Sequence, residues 1–341
     1  MRSGRFEIGP LLGGGVVLGY RCSSRCRHCL YGCGPHRKDG QPSPEELDRL
    51  LDDLARLAPR ARYHIGGGEP FLDRGLLHMA VEGMRARGLL LEYVETNAAW
   101  VDGRAQAEEI LSELAAVGLA CILVSLSPFH AEFVPYARTS DLIRAAERVL
   151  PGGAFVWIPG FAPDLEGQPQ DRPLDLERLL EERGDRYARG LAVRYGLVAA
   201  GRAGRFLARH GQRFGWRELV GRAPCRERLA DTRHFHVDGQ GWYVPGLCAG
   251  LVLPWSELAG PIDLARYPVI DCLLQSGLAG LVERACGSGF EPLADGYSSP
   301  CDLCTHVRVF FFQREPSPDL GPPGFYMPAS LPELVFCAQK D

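Results

Sequence analysis

Gly15-Val16-Val17-Leu18-Gly19-Tyr20-Arg21-Cys22-Ser23-Ser24-Arg25-Cys26-Arg27-His28-Cys29 is a short apolar run that opens into a loop carrying cysteines spaced C-x3-C-x2-C. Gly15 to Arg21 reads as a buried strand that delivers the chain to the loop. Packing gives no reason for the crowded thiols. A buried cysteine behaves as a small hydrophobe, whereas the residues between these are Ser, Arg and His. They read as ligands, and thiolates are soft donors that select zinc, copper(I) or iron–sulfur clusters. With Cys33 as a fourth ligand the loop suits a structural zinc ion. With three thiols it can hold three irons of a [4Fe–4S] cluster and leave the fourth iron open to a small chelating ligand.

Beyond the loop, strand and helix patterns alternate. Ser43-Pro44-Glu45-Glu46 is a capping box with proline at the first helical position, and Leu47, Leu50, Leu51, Leu54 and Leu57 follow at helical spacing, so a helix is expected over 44–58. Tyr63-His64-Ile65 is a short strand running into Gly66-Gly67-Gly68-Glu69-Pro70, with a helix from Leu76 to Arg87. The unit then repeats. A strand over 89–94 ends at Glu95-Thr96-Asn97 before a helix over 105–117; a strand over 120–126 ends at Ser127-Pro128-Phe129-His130 before a helix over 141–150. Strand 154–158, helix 174–182 and a sixth strand from Leu191 to Val198 complete the series. Such alternation implies an α/β fold with a parallel sheet and helices outside. Six units make a partial (β/α)6 barrel, short of the eight that close a full one, with ligands at the carboxyl ends of the strands. The polar and glycine-rich motifs all fall at those ends. The barrel is expected over 1–205, and a smaller, irregular cluster-binding domain over 206–341. His234 to Pro245 reads as a hairpin, and Pro316 to Pro323 as an extended surface segment.

Composition narrows the function. Net charge is −4, 23% of residues are charged and no long basic run occurs, which disfavours nucleic acid as a partner. Twelve cysteines in a chain of 341 residues, clustered rather than spread, are unlike a disulfide framework. The N-terminus is charged and then glycine-rich, with no apolar core of a signal peptide, and no apolar run approaches the roughly 18 residues a membrane span needs. A reduced, cytoplasmic protein with no membrane contact is expected.

The cysteine loop, with His28 where an aromatic residue is often found, and the Gly67-Gly68-Glu69-Pro70 loop at the end of the next strand resemble the radical S-adenosylmethionine (radical SAM) superfamily. That resemblance implies that Cys22, Cys26 and Cys29 bind a [4Fe–4S] cluster whose open iron chelates S-adenosyl-L-methionine. Gly67, Gly68, Glu69 and Pro70 would meet the cofactor's amino group, His28 would offer backbone to the adenine, and Glu95, Thr96, Asn97, Ser125 and Ser127 would face ribose and carboxylate. Arg202, in the Gly201-Arg202-Ala203 turn, would pair with the carboxylate. Glycines let backbone approach a ligand closely, hydroxyl, amide and carboxylate groups suit a diol or an ammonium, and arginine pairs bidentately with carboxylate. The structural readings stand beside these: a plain turn, helix caps at Asn97 and Ser127, and a surface arginine. His130 and Glu132 are candidate catalytic groups, an acid/base pair at the cavity mouth, against a satisfied loop histidine. The implied reaction is reductive cleavage of the cofactor to a 5′-deoxyadenosyl radical that abstracts hydrogen from a substrate carbon. The substrate is expected to be a peptide or a small-molecule biosynthetic intermediate, with an electron donor such as flavodoxin or ferredoxin.

Cys225, Cys248, Cys301 and Cys304 form a second constellation that resembles SPASM or twitch-type auxiliary cluster domains. No cysteine run follows Cys304 at the SPASM intervals, so one auxiliary [4Fe–4S] cluster is expected, with a zinc knob of the same thiols as the alternative. His234, His236 and Cys337 are substitute ligands, and Cys121 and Cys272 read as packing. The competing class for the whole chain is a non-catalytic iron–sulfur or zinc protein that keeps the barrel as a binding module.

Overall fold

The computed structural model describes residues 5–332 and 334. Strands β1 (Gly13–Val17), β2 (Arg62–Gly66), β3 (Leu90–Thr96), β4 (Ile122–Ser125) and β5 (Ala154–Trp157) lie side by side in chain order, all parallel. A further parallel strand, β6 (Phe235–Asp238), pairs with the other side of β1. Antiparallel β7 (Trp242–Val244) and β8 (Leu253–Pro254) extend that edge, giving the order β5-β4-β3-β2-β1-β6-β7-β8. The fold is α/β with a parallel-dominated sheet.

The connecting helices are α1 (Pro44–Leu57), α2 (Arg74–Ala86), α3 (Arg104–Val117) and α4 (Tyr136–Val149). Consecutive strands are neighbours and parallel crossovers are right-handed, so the helices fall on one face, where α1 packs on α2, α2 on α3 and α3 on α4. The capping box forms as read: Ser43 Oγ accepts from Glu46 N at 3.2 Å and Glu46 Oε2 accepts from Ser43 N at 2.8 Å. Leu47, Leu50, Leu51 and Leu54 then present one buried stripe to the sheet.

The sixth unit departs from expectation. Leu191 to Val198 is not a strand: helix α5 (Leu176–Tyr195) runs through it, broken only at Gly184. Leu176, Leu179 and Leu180, then Ala188, Leu191 and Ala192, are buried at helical spacing, and Gly196 in the left-handed region ends the helix. The sixth parallel strand is instead the first arm of the hairpin expected at His234–Pro245. The central sheet therefore continues past residue 205.

The longer helices that follow are α6 (Gly201–His210), α7 (Pro268–Gly287) and α8 (Pro300–Arg314). The stretch Pro316 to Pro323 is not a surface segment throughout. Asp319 is fully buried and its Oδ2 accepts from Val269 N at 2.8 Å and Ile270 N at 2.7 Å, satisfying orphan N–H groups at the start of α7. Leu320 beside it is buried and bridges to Leu251. Cys337 lies outside the described residues. Cys121 and Cys272 are half-buried rather than in the deep core.

Candidate functional site

The cysteine loop closes on itself. Cys22 N donates to Gly34 O at 3.2 Å and Gly34 N to Tyr20 O at 3.3 Å. The glycine loop after β2 is stitched to its entrance: Gly68 N donates to Gly19 O at 2.8 Å and Glu69 N to Arg21 O at 2.9 Å. Only glycine fits at position 68, because a Cβ there would lie 1.8 Å from Arg21 O.

Asn97, at the end of β3, reaches the same loop. Its Nδ2 donates to Cys22 Sγ at 3.4 Å and to the Ser23 and Ser24 hydroxyls at 3.3 Å. Arg202 lies near the start of α6 rather than after a sixth strand. Its Nε donates to Cys26 O at 2.9 Å and its Nη2 to Cys33 O at 2.6 Å. The guanidinium therefore clamps the cysteine loop, whereas a cofactor carboxylate was its expected partner.

A cavity of about 470 Å³ opens at this point, lined by Cys22, Cys26, Cys29, Gly67, Gly68, Glu95, Asn97, Ser125, His28, His130 and Arg202. Several expected residues do not line it. Glu69 is buried below, its carboxylate accepting from Asn97 N at 2.7 Å, Thr96 Oγ1 at 2.9 Å and Phe71 N at 3.2 Å. Burial pushes that carboxyl up to about 7. Thr96 does line the cavity, but its hydroxyl is taken: it donates to Glu69 and accepts from Trp100 Nε1 at 2.9 Å. Pro70 begins a short buried turn, and Ser127 faces His130, with Oγ 2.8 Å from Nδ1.

His130 and Glu132 are separated. His130 lines the cavity, and burial holds its imidazole down to about 4, so it is neutral at physiological pH. Glu132 lines a different surface depression and pairs with Arg27, which contacts it at 2.7 Å. His28 packs against Tyr195, His130 and Phe129 at centroid distances of 4.4, 4.7 and 4.9 Å, and its buried Nδ1 has no hydrogen-bond partner. Among the thiols, Cys29 is held down to about 5, chiefly by its hydrogen bond with Cys33, while burial pushes Cys22 up to about 12.

Cys225, Cys248, Cys301 and Cys304 also converge. They line a second cavity of about 550 Å³ together with Arg228 and Arg308, and Arg228 Nη1 lies 3.3 Å from Cys301 Sγ. Leu197, Val198, His234 and Leu247 line both cavities, so the two share a wall. Asp302, between Cys301 and Cys304, is fully buried and pairs with Arg205 of α6. Helix α6 thus holds the cysteine loop through Arg202 and the second cysteine pair through Arg205.

Sequence reading missed Tyr195, hidden in the misread strand, and Tyr31, Tyr93 and Trp157, which also line the first cavity. It also missed His64, which comes opposite His236 only because both strands pair with Gly15 of β1, a docking that no local pattern shows.

Residues 16–149 match the family model described as the radical SAM superfamily. No curated protein sequence matches the chain. Among solved structures, BtrN in complex with AdoMet and 2-DOIA is 16% identical, with 44% of this chain and 57% of that one covered and a TM-score of 0.33. HemN of Escherichia coli, a coproporphyrinogen III oxidase, is 16% identical over 52% of this chain and 43% of that one, with a TM-score of 0.32. SuiB of Streptococcus suis, bound to S-adenosylmethionine, is 12% identical over 92% of this chain and 76% of that one, with a TM-score of 0.33. The chain spans little more than half of BtrN. Among the described residues no helix is long and apolar enough to cross a membrane. Residues 16–149, which contain the cysteine loop, the glycine loop and the ends of β1 to β4, are a radical SAM superfamily domain.

Proposed function

We propose that this chain is a radical SAM enzyme in which Cys22, Cys26 and Cys29 hold a [4Fe–4S] cluster beside a binding site for S-adenosylmethionine. The observation that carries this is the convergence of the cysteine loop, the glycine loop, Asn97 and Ser125 on one cavity. The residues fit the group. A tetrahedral zinc ion, with bonds of about 2.3 Å, would bring its sulfurs to about 3.8 Å from one another. The described residues give two groups of three ligand atoms within 4.8 Å, and neither contains two cysteines. Among the described residues no three thiols gather that closely, which speaks against zinc on this loop. His28, with its unpartnered Nδ1 among aromatic rings, suits a heteroaromatic ligand.

When bound, the cluster and cofactor supply one-electron cleavage of the sulfonium to methionine and a 5′-deoxyadenosyl radical, which takes hydrogen from the substrate. The chain's own residues position and shield. Gly67 and Gly68 line the cavity at the methionine end, Ser125 offers its hydroxyl to a ribose diol, and His28 with Tyr195 walls the adenine. Arg202 keeps the loop carbonyls turned inward. Neutral His130, oriented by Ser127, accepts a hydrogen bond from the substrate; Glu132, bound to Arg27, holds the loop in place.

Cys225, Cys248, Cys301 and Cys304 hold an auxiliary [4Fe–4S] cluster of SPASM or twitch type, its negative charge offset by Arg228 and Arg308. The substrate, a peptide side chain or a small biosynthetic intermediate, sits at the shared wall between the cavities, with a flavodoxin or ferredoxin donating electrons in the cytoplasm. The singly wound order of β1 to β5 supports a partial barrel, built by residues 1–205 and completed by the hairpin of the 206–341 part. Anaerobic incubation with a reductant and S-adenosylmethionine tests this. Methionine and 5′-deoxyadenosine are expected from the parent and not from Cys26→Ala; their absence from an iron-replete parent would favour the binding-module reading.

A further inference from the structure

We infer that His64, His234 and His236 form a separate site for a first-row divalent metal ion on the wall of the first cavity. One ring nitrogen from each lies within 4.8 Å of the other two. His64 sits mid-strand on β2 and His236 on β6, the two strands flanking β1, and both pair in register with Gly15. A Cβ at position 15 would lie 2.5 Å from each ring, so the missing side chain of the central strand makes the space in which they meet. His234 precedes β6 and closes the triangle, its centroid 4.9 Å from that of His236 and 5.5 Å from that of His64.

Two of the three rings are held as ligands are held, and His234 is exposed. Tyr93 stacks on His64 at 5.1 Å, and Tyr31 Oη lies 2.7 Å from His236 Nδ1, which leaves Nε2 to face the triangle. Such partners fix ring orientation and tautomer at metal sites. Glu95 Oε1 is 3.8 Å from His64 Nε2 and offers a carboxylate as a further ligand. Metal–nitrogen bonds of about 2.0 Å need nitrogens about 3.3 Å apart, a contraction that small side-chain rotations supply. Imidazole and carboxylate donors match zinc, iron(II) or cobalt(II). His234, His236 and Glu95 line the cavity that also holds the cysteine loop. The ion therefore keeps an open position toward that cavity, where an oxygen or nitrogen of the substrate binds opposite the cysteines.

Zinc(II) alone is the probe. Equilibrium dialysis of the full chain with its clusters assembled, read by metal analysis, is expected to give one tightly bound zinc per chain. The Cys22/Cys26/Cys29 triple Ala variant should retain that zinc, which separates this site from the proposed cluster. His64→Ala and His236→Ala should bind it at least about tenfold more weakly with iron content unchanged. X-ray absorption at the zinc edge of the parent needs no variant to fold, and is expected to show imidazole nitrogens with no sulfur. Zinc coordinated by sulfur, no zinc in the parent, or equal binding by a folded His64→Ala would overturn the inference.

Discussion

Arg202 joins the two ends of the cysteine loop by donating to the Cys26 and Cys33 carbonyls. A lysine ammonium cannot span both acceptors as the planar guanidinium does. Hydrogen bonds to a charged donor contribute about 1.5–3 kcal/mol each, so Arg202→Ala and Arg202→Lys should both lower the thermal midpoint and the iron kept by the loop. Full iron in Arg202→Lys would assign the contact to charge alone. Glu69 gives a pH-dependent expectation. Its folded-state value near 7 lies above its ordinary 4.5, so the folded protein binds the proton more tightly than the unfolded chain does. The stability it adds is present at low pH and is lost as pH rises from about 4.5 to about 7. His64 and His130, held down to about 4 by burial, act in the opposite sense. The profile of the parent alone is therefore uninformative, and the difference in thermal midpoint between the parent and Glu69→Gln isolates the effect. That difference should fall across this window; a flat one would show that Glu69 is ionised throughout.

The first five strands and their helices were legible because each carries its own period: the leucines of α1 recur at helical spacing behind a capping box, and β1 to β5 are short apolar runs that end in polar or glycine motifs. The sixth strand was misread for a physical reason. Leu191-Ala192-Val193 and Leu197-Val198 look strand-like locally, yet Ala188, Leu191 and Ala192 continue the buried stripe of α5 while Val193 is 80% exposed. The hairpin was legible, but its place was not, since nothing local says that Phe235–Asp238 docks against β1. Asp319 was hidden likewise: a Pro-rich stretch reads as surface until a distant helix supplies N–H groups to its carboxylate. Asp319→Ala should cost about 1–2 kcal/mol through the loss of that cap, measured by denaturant unfolding; no change would mean that water replaces it.

At the scale of the whole molecule, α6 ties the two thiol sites together, with Arg202 on the cysteine loop and Arg205 on the buried Asp302 beside Cys301 and Cys304. Positions three apart on a helix share a face, so one short helix sets both. Breaking a buried ion pair by removing one partner costs about 3–5 kcal/mol. With the proposed auxiliary cluster in place, Arg205→Ala should therefore lose iron from the C-terminal thiols before the N-terminal ones, as seen by iron analysis beside the Cys301/Cys304 double Ala variant. The crowding of the thiols on the cysteine loop was readable from spacing alone. The four C-terminal thiols were readable only as a constellation, because their convergence depends on packing among α6, α8 and the hairpin.

The most direct measurement is iron and sulfide content with electron paramagnetic resonance of anaerobically reconstituted protein, with and without S-adenosylmethionine, beside the Cys22/Cys26/Cys29 triple Ala variant. About eight irons in the parent and about four in the variant are expected for two [4Fe–4S] clusters, with a signal that the cofactor shifts only in the parent. Zinc in place of iron at the cysteine loop, or a signal that the cofactor leaves unchanged, would contradict the account.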